Sequence, residues 1–426
     1  MLSFLRVLKR FPLISFLYRV PGVSWCYHFL LGLAGALYHG FPSKYIEVIG
    51  ITGTKGKTTT LELLNAMLEA GGRRTALLSS LRIKVGERSE KNRLDNTMPG
   101  RFYIQRFLRQ AVSERCDAAL VEVTSQGVSM SRHRFIKWRV GVLTNLAPEH
   151  IEAHGSFENY RAAKLSFLKN VAVRGGTVFL NAEDEHFPFF RKSLEGHVLV
   201  TPYRRSDAAA VAARRNSKLE GEFYMHNIAA AAAVARSLGV NDMAIASALT
   251  TFSGVPGRLQ FVQEEPFTAV VDYAHTPDSL KAVYATLRER MQRDRRQATG
   301  NRQLICVFGS CGGGRDRWKR PEMGKVASRY CDRIILTNED PYDENPETLL
   351  SEIRAGVEPE KLAVTSMIID RREAVRKALS EAAAGDAVIF TGKGSESWIH
   401  VAGGQRVPWD ERQVVEETLA ALKKHV

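Results

Sequence analysis

The chain is 426 residues long, 44% hydrophobic and 25% charged, and Lys plus Arg outnumber Asp plus Glu by 60 to 46, a formal net charge of +14. That length holds two or three domains with real cores, and neither an internal repeat nor a low-complexity tract interrupts it. The five cysteines (Cys26, Cys116, Cys306, Cys311, Cys331) are odd in number and include no Cys-x-x-Cys pair. That pattern argues against a disulfide framework or a structural zinc site and fits a reducing compartment. The positive charge leaves a nucleic acid, a membrane surface or an anionic substrate open as partner.

The first 45 residues are at once basic and apolar. Arg6, Lys9, Arg10, Arg19 and Lys44 lie there with no acidic residue before Glu47, and Leu2, Phe4, Leu5, Leu8, Phe11, Ile14, Phe16, Leu17 and Tyr18 fill the gaps. The apolar run 29–38 is too short to span a bilayer. A basic start, an apolar run and Ala34-Gly-Ala36 imitate a signal peptide. A nucleotide site follows within a few residues, however, and export would part it from its ATP. A piece packed on the next domain and a weak membrane-surface anchor both stay open.

A short apolar strand over 46–51 leads into Gly50-Ile-Thr-Gly-Thr-Lys-Gly-Lys-Thr-Thr-Thr60, after which Leu61, Leu64, Met67 and Leu68 recur at helical spacing. Strand, Gly-rich turn and helix start make a phosphate cradle. Backbone N–H groups of Gly53, Thr54, Lys55, Gly56, Lys57 and Thr58, with Thr59 behind them, can point at phosphate oxygens. Lys57 would reach the terminal phosphates and the Thr58 hydroxyl would hold Mg²⁺. Five residues rather than four separate Gly50 from Gly56, so this is not the common Walker A, and a turn that binds nothing is the plainer alternative.

Beyond the loop, strands over 118–124, 140–144 and 176–180 alternate with helices over 159–168 and 227–238. This is the pattern of a parallel sheet with helices on both faces. Turn residues at Gly254-Val-Pro-Gly-Arg258 mark a boundary. A second α/β unit follows, with strands over 269–272, 304–308, 333–337 and 387–391 and helices over 277–290 and 321–328. The glycine-rich turn 309–314 is by itself only a tight loop. Arg288, Arg290, Arg293, Arg295, Arg296 and Arg302 cluster near a Gly-Asn turn. No aromatic residue interleaves with them, which favours a solvated helix end over a nucleic-acid patch. Glu122 ends a strand beside Thr124, where a Mg²⁺ ligand belongs in such folds, and His150 and His154 follow another strand end.

These pieces together resemble the Mur ligase family. The resemblance rests on 50–60, Glu122-Val-Thr-Ser, Thr144-Asn-Leu with Glu149-His150 and His154-Gly, Tyr160-Arg-Ala-Ala-Lys164, His226-Asn-Ile-Ala-Ala and Gly254-Val-Pro-Gly-Arg258. It continues through Asp272-Tyr-Ala-His-Thr-Pro-Asp278, Gly312-Gly-Gly-Arg-Asp316 and Lys319-Arg-Pro321, and runs from about residue 46 to residue 412. The branch it is most similar to makes muramoyl tripeptides. The resemblance implies ATP-dependent amide ligation: a carboxylate attacks the γ-phosphate and an amine captures the acyl phosphate. It implies that Thr58, Glu122 and His150 hold Mg²⁺, with Lys57, Lys164, His150 and Glu122 catalytic and Lys164 carbamoylated by CO₂. Asn227, Arg258, Asp272 and His275 would contact the nucleotide. Asn96, Thr97, Thr124 and Arg132 would hold the muramoyl dipeptide, and Arg315, Gly392 and Glu396 the incoming amino acid.

Four departures from the family pattern bear on function. Lys55 stands where the loop usually has Asn. Thr337-Asn-Glu-Asp-Pro-Tyr342 replaces an Asp-Asn-Pro-Arg run, so the arginine that reads the distal carboxylate of diaminopimelate is absent. Ser395 stands where His is usual. Only about 45 residues precede the loop domain, where a standard member carries a full UDP-binding domain, so the substrate is open between UDP-linked and lipid-linked.

The expected architecture is a short segment 1–45, a P-loop central α/β domain 46–256 and a Rossmann-like α/β domain 257–426. The expected protein is a cytoplasmic ligase of cell-wall precursor synthesis using ATP and Mg²⁺, with small-molecule substrates, no nucleic acid, and peripheral contact at the inner membrane face left open. The alternatives are folylpolyglutamate or poly-γ-glutamate synthesis, or a P-loop nucleic-acid-dependent ATPase.

Overall fold

The computed structural model describes residues 23–94, 96–149, 151–197, 199–208, 219, 221–294, 302–314 and 316–423. The chain forms two compact units, one of residues 1–214 and 226–250, the other of 215–225 and 251–426.

In the first unit an eight-stranded sheet runs β4-β3-β2-β5-β1-β6-β7-β8. Its centre is β1 (Glu47–Thr52), paired in parallel with β5 (Ala118–Glu122) on one side and β6 (Trp138–Leu143) on the other. Val48, Ile49 and Ile51 are fully buried, as expected of a parallel strand covered on both faces, which reads as a continuous apolar run. Parallel strands β2 (Thr75–Leu78), β7 (Thr177–Asn181) and β8 (Val200–Tyr203) extend the sheet. An antiparallel pair, β3 (Arg82–Val85) and β4 (Arg88–Lys91), closes one edge. Because strand order reverses about β1, the C-terminal ends of β1, β5 and β6 open a crevice of the kind that holds ligands in such sheets.

One glycine in this sheet serves packing. A Cβ on Gly50 would lie 2.5 Å from the Phe167 ring and 2.8 Å from Trp138, so only glycine lets the helix Phe157–Val173 sit this low on β1. Trp138 and Phe167 meet edge to face at 5.1 Å. The strand expected over 118–124 stops at Glu122 because the Thr124 hydroxyl accepts from Gly127 N at 3.1 Å and caps the short helix Ser125–Ser129. The first described helix, α1 (Val23–Tyr38), packs on the helix Arg101–Ser113.

The second unit carries a six-stranded sheet, β13-β12-β11-β14-β10-β9, in which β10 (Thr268–Val271), β13 (Thr365–Met367) and β14 (Ala387–Phe390) run parallel with β11 and β12, and only β9 (Gln260–Gln263) at the edge is antiparallel. Leu304, Cys306 and Phe308 of β11 (Leu304–Phe308) face one apolar core, and Ile305 and Val307 face another. The reading of the cysteines needs correction: Cys306 and the buried Cys331, just ahead of β12 (Arg333–Leu336), form a disulfide with Cα atoms 6.0 Å apart. It is a single bridge between neighbouring strands, 25 residues apart, a separation no local spacing signals. Within the basic cluster, Arg288 pairs with Asp332 at 2.8 Å and Arg290 with Glu264 at 2.6 Å, which are internal ion pairs. Arg295 and Arg296 lie outside the described residues.

Arg371 and Glu411 are the deepest ion pair described here, 3% and 0% exposed. The Arg371 guanidinium donates to both Glu411 oxygens and to the carbonyls of Asn338 and Thr391, and the Trp409 indole also donates to Glu411. Removing one partner of such a network leaves a buried charge uncompensated, at a cost of about 3–5 kcal/mol. Glu411→Ala is therefore expected to lower the second unit's unfolding free energy, read from its urea transition, by that amount, with the first unit's transition unmoved. A loss under 1 kcal/mol (about fivefold in the folding constant) would show the pair to be dispensable.

Candidate active site

The site in the first unit grows from the turn between β1 and the helix Lys57–Ala70. Gly53 has φ +151°, and a Cβ there would fall 1.9 Å from Thr144 Oγ1. Gly56 has φ +81° and would meet Asn227 Oδ1 at 2.3 Å. Both positions therefore require glycine. The loop is strapped from the end of β6: Thr144 Oγ1 donates to Lys55 O at 2.6 Å, Lys55 N donates to Asn145 Oδ1 at 2.8 Å, and Thr54 N donates to Asn145 O at 3.0 Å. Thr54 also shares a 2.9 Å hydrogen bond with the Tyr160 hydroxyl. Asn227 is buried, its Oδ1 accepting from Thr60 at 3.2 Å, and Thr59 is buried beside it in the helix's first turn.

Thr58 and Glu122 come together as expected. The Thr58 hydroxyl donates to Glu122 Oε2 at 3.1 Å and lies 3.0 Å from Ser80 Oγ, and Ser80 N donates to the same carboxylate oxygen at 2.9 Å. Glu122 is 3% exposed. Among the described residues no cluster of three or more His, Cys, Asp or Glu could hold a metal. The donors present, one carboxylate and two hydroxyls beneath a phosphate-type loop, suit Mg²⁺, which keeps its waters and binds through one or two carboxylates plus substrate phosphates. The loop geometry likewise fits a triphosphate, since positive φ at Gly53 and Gly56 turns the chain tightly into the N-terminus of the helix Lys57–Ala70, where backbone N–H groups can face phosphate oxygens. The Lys57 ammonium caps the carbonyls of Gly53 and Thr54 at 3.1 and 2.9 Å. His150 lies outside the described residues, while His154 Nε2 is 3.0 Å from Ser125 Oγ.

Lys164 is not an exposed helix lysine. It is 1% exposed, donates to Gly53 O at 2.8 Å and stands 4.5 Å over the Tyr160 ring. Burial first and the Lys57 charge second drive its pKa well below the usual lysine range, against an opposing pull from Glu149. Lys55 forms a 2.7 Å ion pair with Glu149, so the lysine that replaces asparagine has a carboxylate at hand. Of the residues expected to hold the dipeptide, Asn96 is exposed, Thr97 is half-buried, Thr124 caps a helix, and the Arg132 guanidinium donates to the Met98 carbonyl.

The second unit holds its own cluster. Asp272 is buried and accepts from Leu259 N and Ala274 N, both at 2.6 Å, so its carboxylate holds two loops together. Burial raises its pKa in spite of Arg258. The Arg258 guanidinium lies 4.1 Å over the Tyr273 ring, and His275 meets the same ring at 4.7 Å. The Tyr273 hydroxyl donates to Glu396 at 3.0 Å, and Lys393 pairs with Asp340 and Glu396 at 2.8 and 2.6 Å. Glu339 is 3% exposed; its Oε1 accepts from the Cys311 thiol at 3.1 Å, and its Oε2 has no hydrogen-bond partner. A Cβ on Gly392 (φ +102°) would come 2.6 Å from that orphaned oxygen. Tyr342 stacks on His400 at 5.1 Å, and Arg315 lies outside the described residues.

Sequence reasoning missed Ser80, Asn145, Tyr273, Lys393 and the orphaned carboxylate of Glu339. Ser80 gave no signal, since nothing local ties it to Glu122. The others sat inside runs already singled out.

Comparison with known proteins places these clusters in context. The family described as Mur ligase middle domain matches residues 51–226, and the one described as Mur ligase, glutamate ligase domain matches 257–394. A UDP-N-acetylmuramoyl-L-alanyl-D-glutamate–2,6-diaminopimelate ligase of Syntrophomonas wolfei is 35% identical over 92% of this chain and 82% of its own length. A UDP-N-acetylmuramyl-tripeptide synthetase of Roseiflexus is 33% identical over 92% and 82%. A solved UDP-N-acetylmuramoyl-L-alanyl-D-glutamate–2,6-diaminopimelate ligase superposes with TM-score 0.57 at 27% identity, covering 89% of this chain and 79% of that one. Folylpolyglutamate synthase of Mycobacterium tuberculosis superposes with TM-score 0.63 at 17% identity, over 85% and 92%, which is likeness of fold.

The buried amine of Lys164 predicts a pH dependence. Its folded pKa is depressed, so between that value and the usual ~10.4 the unfolded chain binds the extra proton and stability rises with pH. The urea midpoint of the first unit, followed from neutral pH to about pH 10, is expected to climb in the wild type and to flatten in Lys164→Met. Equal slopes would mean that Lys164 keeps its proton when buried.

Proposed function

The chain belongs to the Mur ligase family of ATP-dependent ligases, and on that premise we propose that it joins an amino acid to the carboxylate of a muramoyl-peptide-type precursor through an acyl phosphate, in peptidoglycan precursor synthesis. The observation that carries this reading is the convergence on one loop of Thr58 with Glu122 from β5, the Thr144-Asn145 strap from β6, and the buried amine of Lys164.

In this reading the N–H groups at the loop's helical end and Lys57 bind the triphosphate, Thr54 N and Lys55 N, expected among the donors, being spent on Asn145, and Thr58 and Glu122 hold Mg²⁺, which when bound neutralises phosphate charge. Two anions must meet in the first step, so Lys57 is the protein's fixed positive charge for it. Lys164, whose pKa burial and the Lys57 charge push down, offers its amine to CO₂: the N–C bond forms, one amine proton leaves, and a carbamate anion stands where the amine was. Asn227, Arg258, Asp272 and His275 are the proposed nucleotide contacts, with Asn96, Thr97, Thr124 and Arg132 for the acyl donor. His150 and Arg315 keep their family roles as proposals. We leave the donor open between UDP-linked and lipid-linked, with contact at the membrane face through the N-terminal segment.

Acceptor choice follows from the second unit's cluster. Glu339, Asp340 and Glu396 bring three carboxylates together, Lys393 offsets two of them, and Glu339 Oε2 stays without a hydrogen bond. The Cys311 thiol is pushed up by burial first and then by Glu339 and Asp340, and the Tyr273 phenol by Glu396 first and then by burial, so nearby carboxylates contribute to both shifts. Tyr342 supplies no bidentate fork for a distal carboxylate. An amino acid with a cationic side chain is expected to be preferred over diaminopimelate, the difference being a few kcal/mol, about the strength of a charged hydrogen-bonded pair.

ADP release is to be screened against lysine, ornithine, alanine, glutamate and diaminopimelate, with UDP-linked and lipid-linked muramoyl dipeptide. Strict diaminopimelate preference would refute the acceptor choice. Indifference to every amino acid, with phosphate release driven by DNA or RNA, would refute the ligase reading itself.

Lys57→Ala and Glu122→Ala are each expected to slow ligation by about 10²-fold or more, the scale of a lost electrostatic group. Lys164→Ala should be nearly inactive and partly rescued by short carboxylates that occupy the carbamate's place. Near-normal turnover in the first two variants would remove them from the site, and full activity of Lys164→Ala in CO₂-depleted buffer would exclude the carbamate.

A further inference from the structure

The helix α1 has two unlike faces. On one, Ala36 is fully buried, Gly35 would place a Cβ 3.4 Å from the Phe102 backbone, Gly32 would place one 3.3 Å from the Phe135 ring, and Phe29 meets that ring edge-on at 4.9 Å. The small residues let the helix settle closely onto the first unit. On the other face Val23, Cys26, Leu30, Ala34 and Leu37 are exposed, and Tyr38 follows. Steps of three and four residues put these side chains in one stripe. Leu30 and Leu37 are each 60% exposed and Tyr38 80%. The helix holds 16 residues and no Lys, Arg, Asp or Glu, so the stripe has none of the charge that normally keeps a surface helix in water.

Among the described residues, the charged side chains bonded to or stacked on α1 and the turn after it are basic. Arg101 bonds to His28, Arg134 lies 5.7 Å over Phe29, Arg109 donates to His39 O at 2.9 Å, and Lys44 stands 4.9 Å over Phe41. The helix Arg101–Ser113 that carries two of them has no acidic residue, and in sequence the chain has none before Glu47. Arg109 and Arg106 both hold the His39 pKa down after burial has lowered it.

We infer that the outer face of α1 is a docking surface for an anionic lipid bilayer, with the apolar stripe at the acyl boundary and the arginine rim against headgroup phosphates. The basic rim decides between occupants. A second copy would bring like charges together, whereas an anionic bilayer answers both the stripe and the rim. The helix lies on the surface and does not cross it: 16 residues rise about 24 Å against a hydrocarbon core of about 30 Å. Among the described residues no helix is long and apolar enough to span a membrane. The inference deepens the membrane contact proposed for the N-terminal segment and uses no residue of the ligase site, so its failure leaves the ligase reading standing.

The test is flotation of the full-length protein with phosphatidylcholine vesicles, with and without phosphatidylglycerol. Full-length protein should float with the anionic vesicles only, and added salt should release it. Leu30→Glu/Leu37→Glu, at two exposed positions, should lower partitioning by about tenfold or more while ADP release in solution stays as in the wild type. No flotation, equal flotation with neutral vesicles, or flotation unchanged by the double substitution would each overturn the inference. So would a dimer in solution that the substitution dissolves without any vesicle binding, which would assign the face to a second copy.

Discussion

No side chain fits at Gly53, and the rest of the first unit's site depends on that. The Thr144 hydroxyl occupies the place a Cβ would take and is spent on the Lys55 carbonyl, so loop and strap lock each other. Asn145 repeats the arrangement with both its amide and its backbone carbonyl. The loop therefore holds its shape through the neighbouring strand end, at the expense of the Thr54 and Lys55 N–H groups, and the N–H groups at its helical end are set before anything binds. Preorganised donors of this kind cost little reorganisation when charge develops.

The two units handle charge in opposite ways. Around the loop, cations crowd together, and the structure answers by burying one amine, whose pKa falls, and by giving another, Lys55, a carboxylate of its own. In the second unit acids crowd together, and one lysine offsets two of them and leaves a third. Each arrangement suits a partner of opposite sign: phosphate for the first and an ammonium for the second.

Much of the fold was legible because parallel strands covered on both faces read as apolar runs, and β1, β5, β11 and β14 (Ala387–Phe390) are such runs. The edge strands were not. Arg82–Val85 and Arg88–Lys91 are largely polar, and only their antiparallel pairing makes them strands. Within the site, Lys57, Thr58 and Glu122 stood in runs whose chemistry announces itself. Ser80 and the Cys306–Cys331 bridge did not, because what defines them is a neighbour brought up by the sheet, 42 residues away for Ser80 and Glu122 and 25 for the cysteines. The burial of Lys164 was also hidden, since a helix lysine carries no mark of which way it faces.

Gly50 looks like the opening glycine of a phosphate motif, yet what it touches is the far face of the sheet. Phe167 rests on Gly50, and Lys164, one turn earlier on the same helix, reaches Gly53 three residues further along the chain, just past the strand's end. Helix and strand thus run as opposed rulers, registered at two marks. The bare backbone at the first mark sets the gap between them, and that gap is what brings the amine at the second within 2.8 Å of the loop carbonyl. A methyl group on the strand would work like a shim, lifting the ruler and withdrawing its far mark from the phosphate loop without touching a single residue that meets the nucleotide.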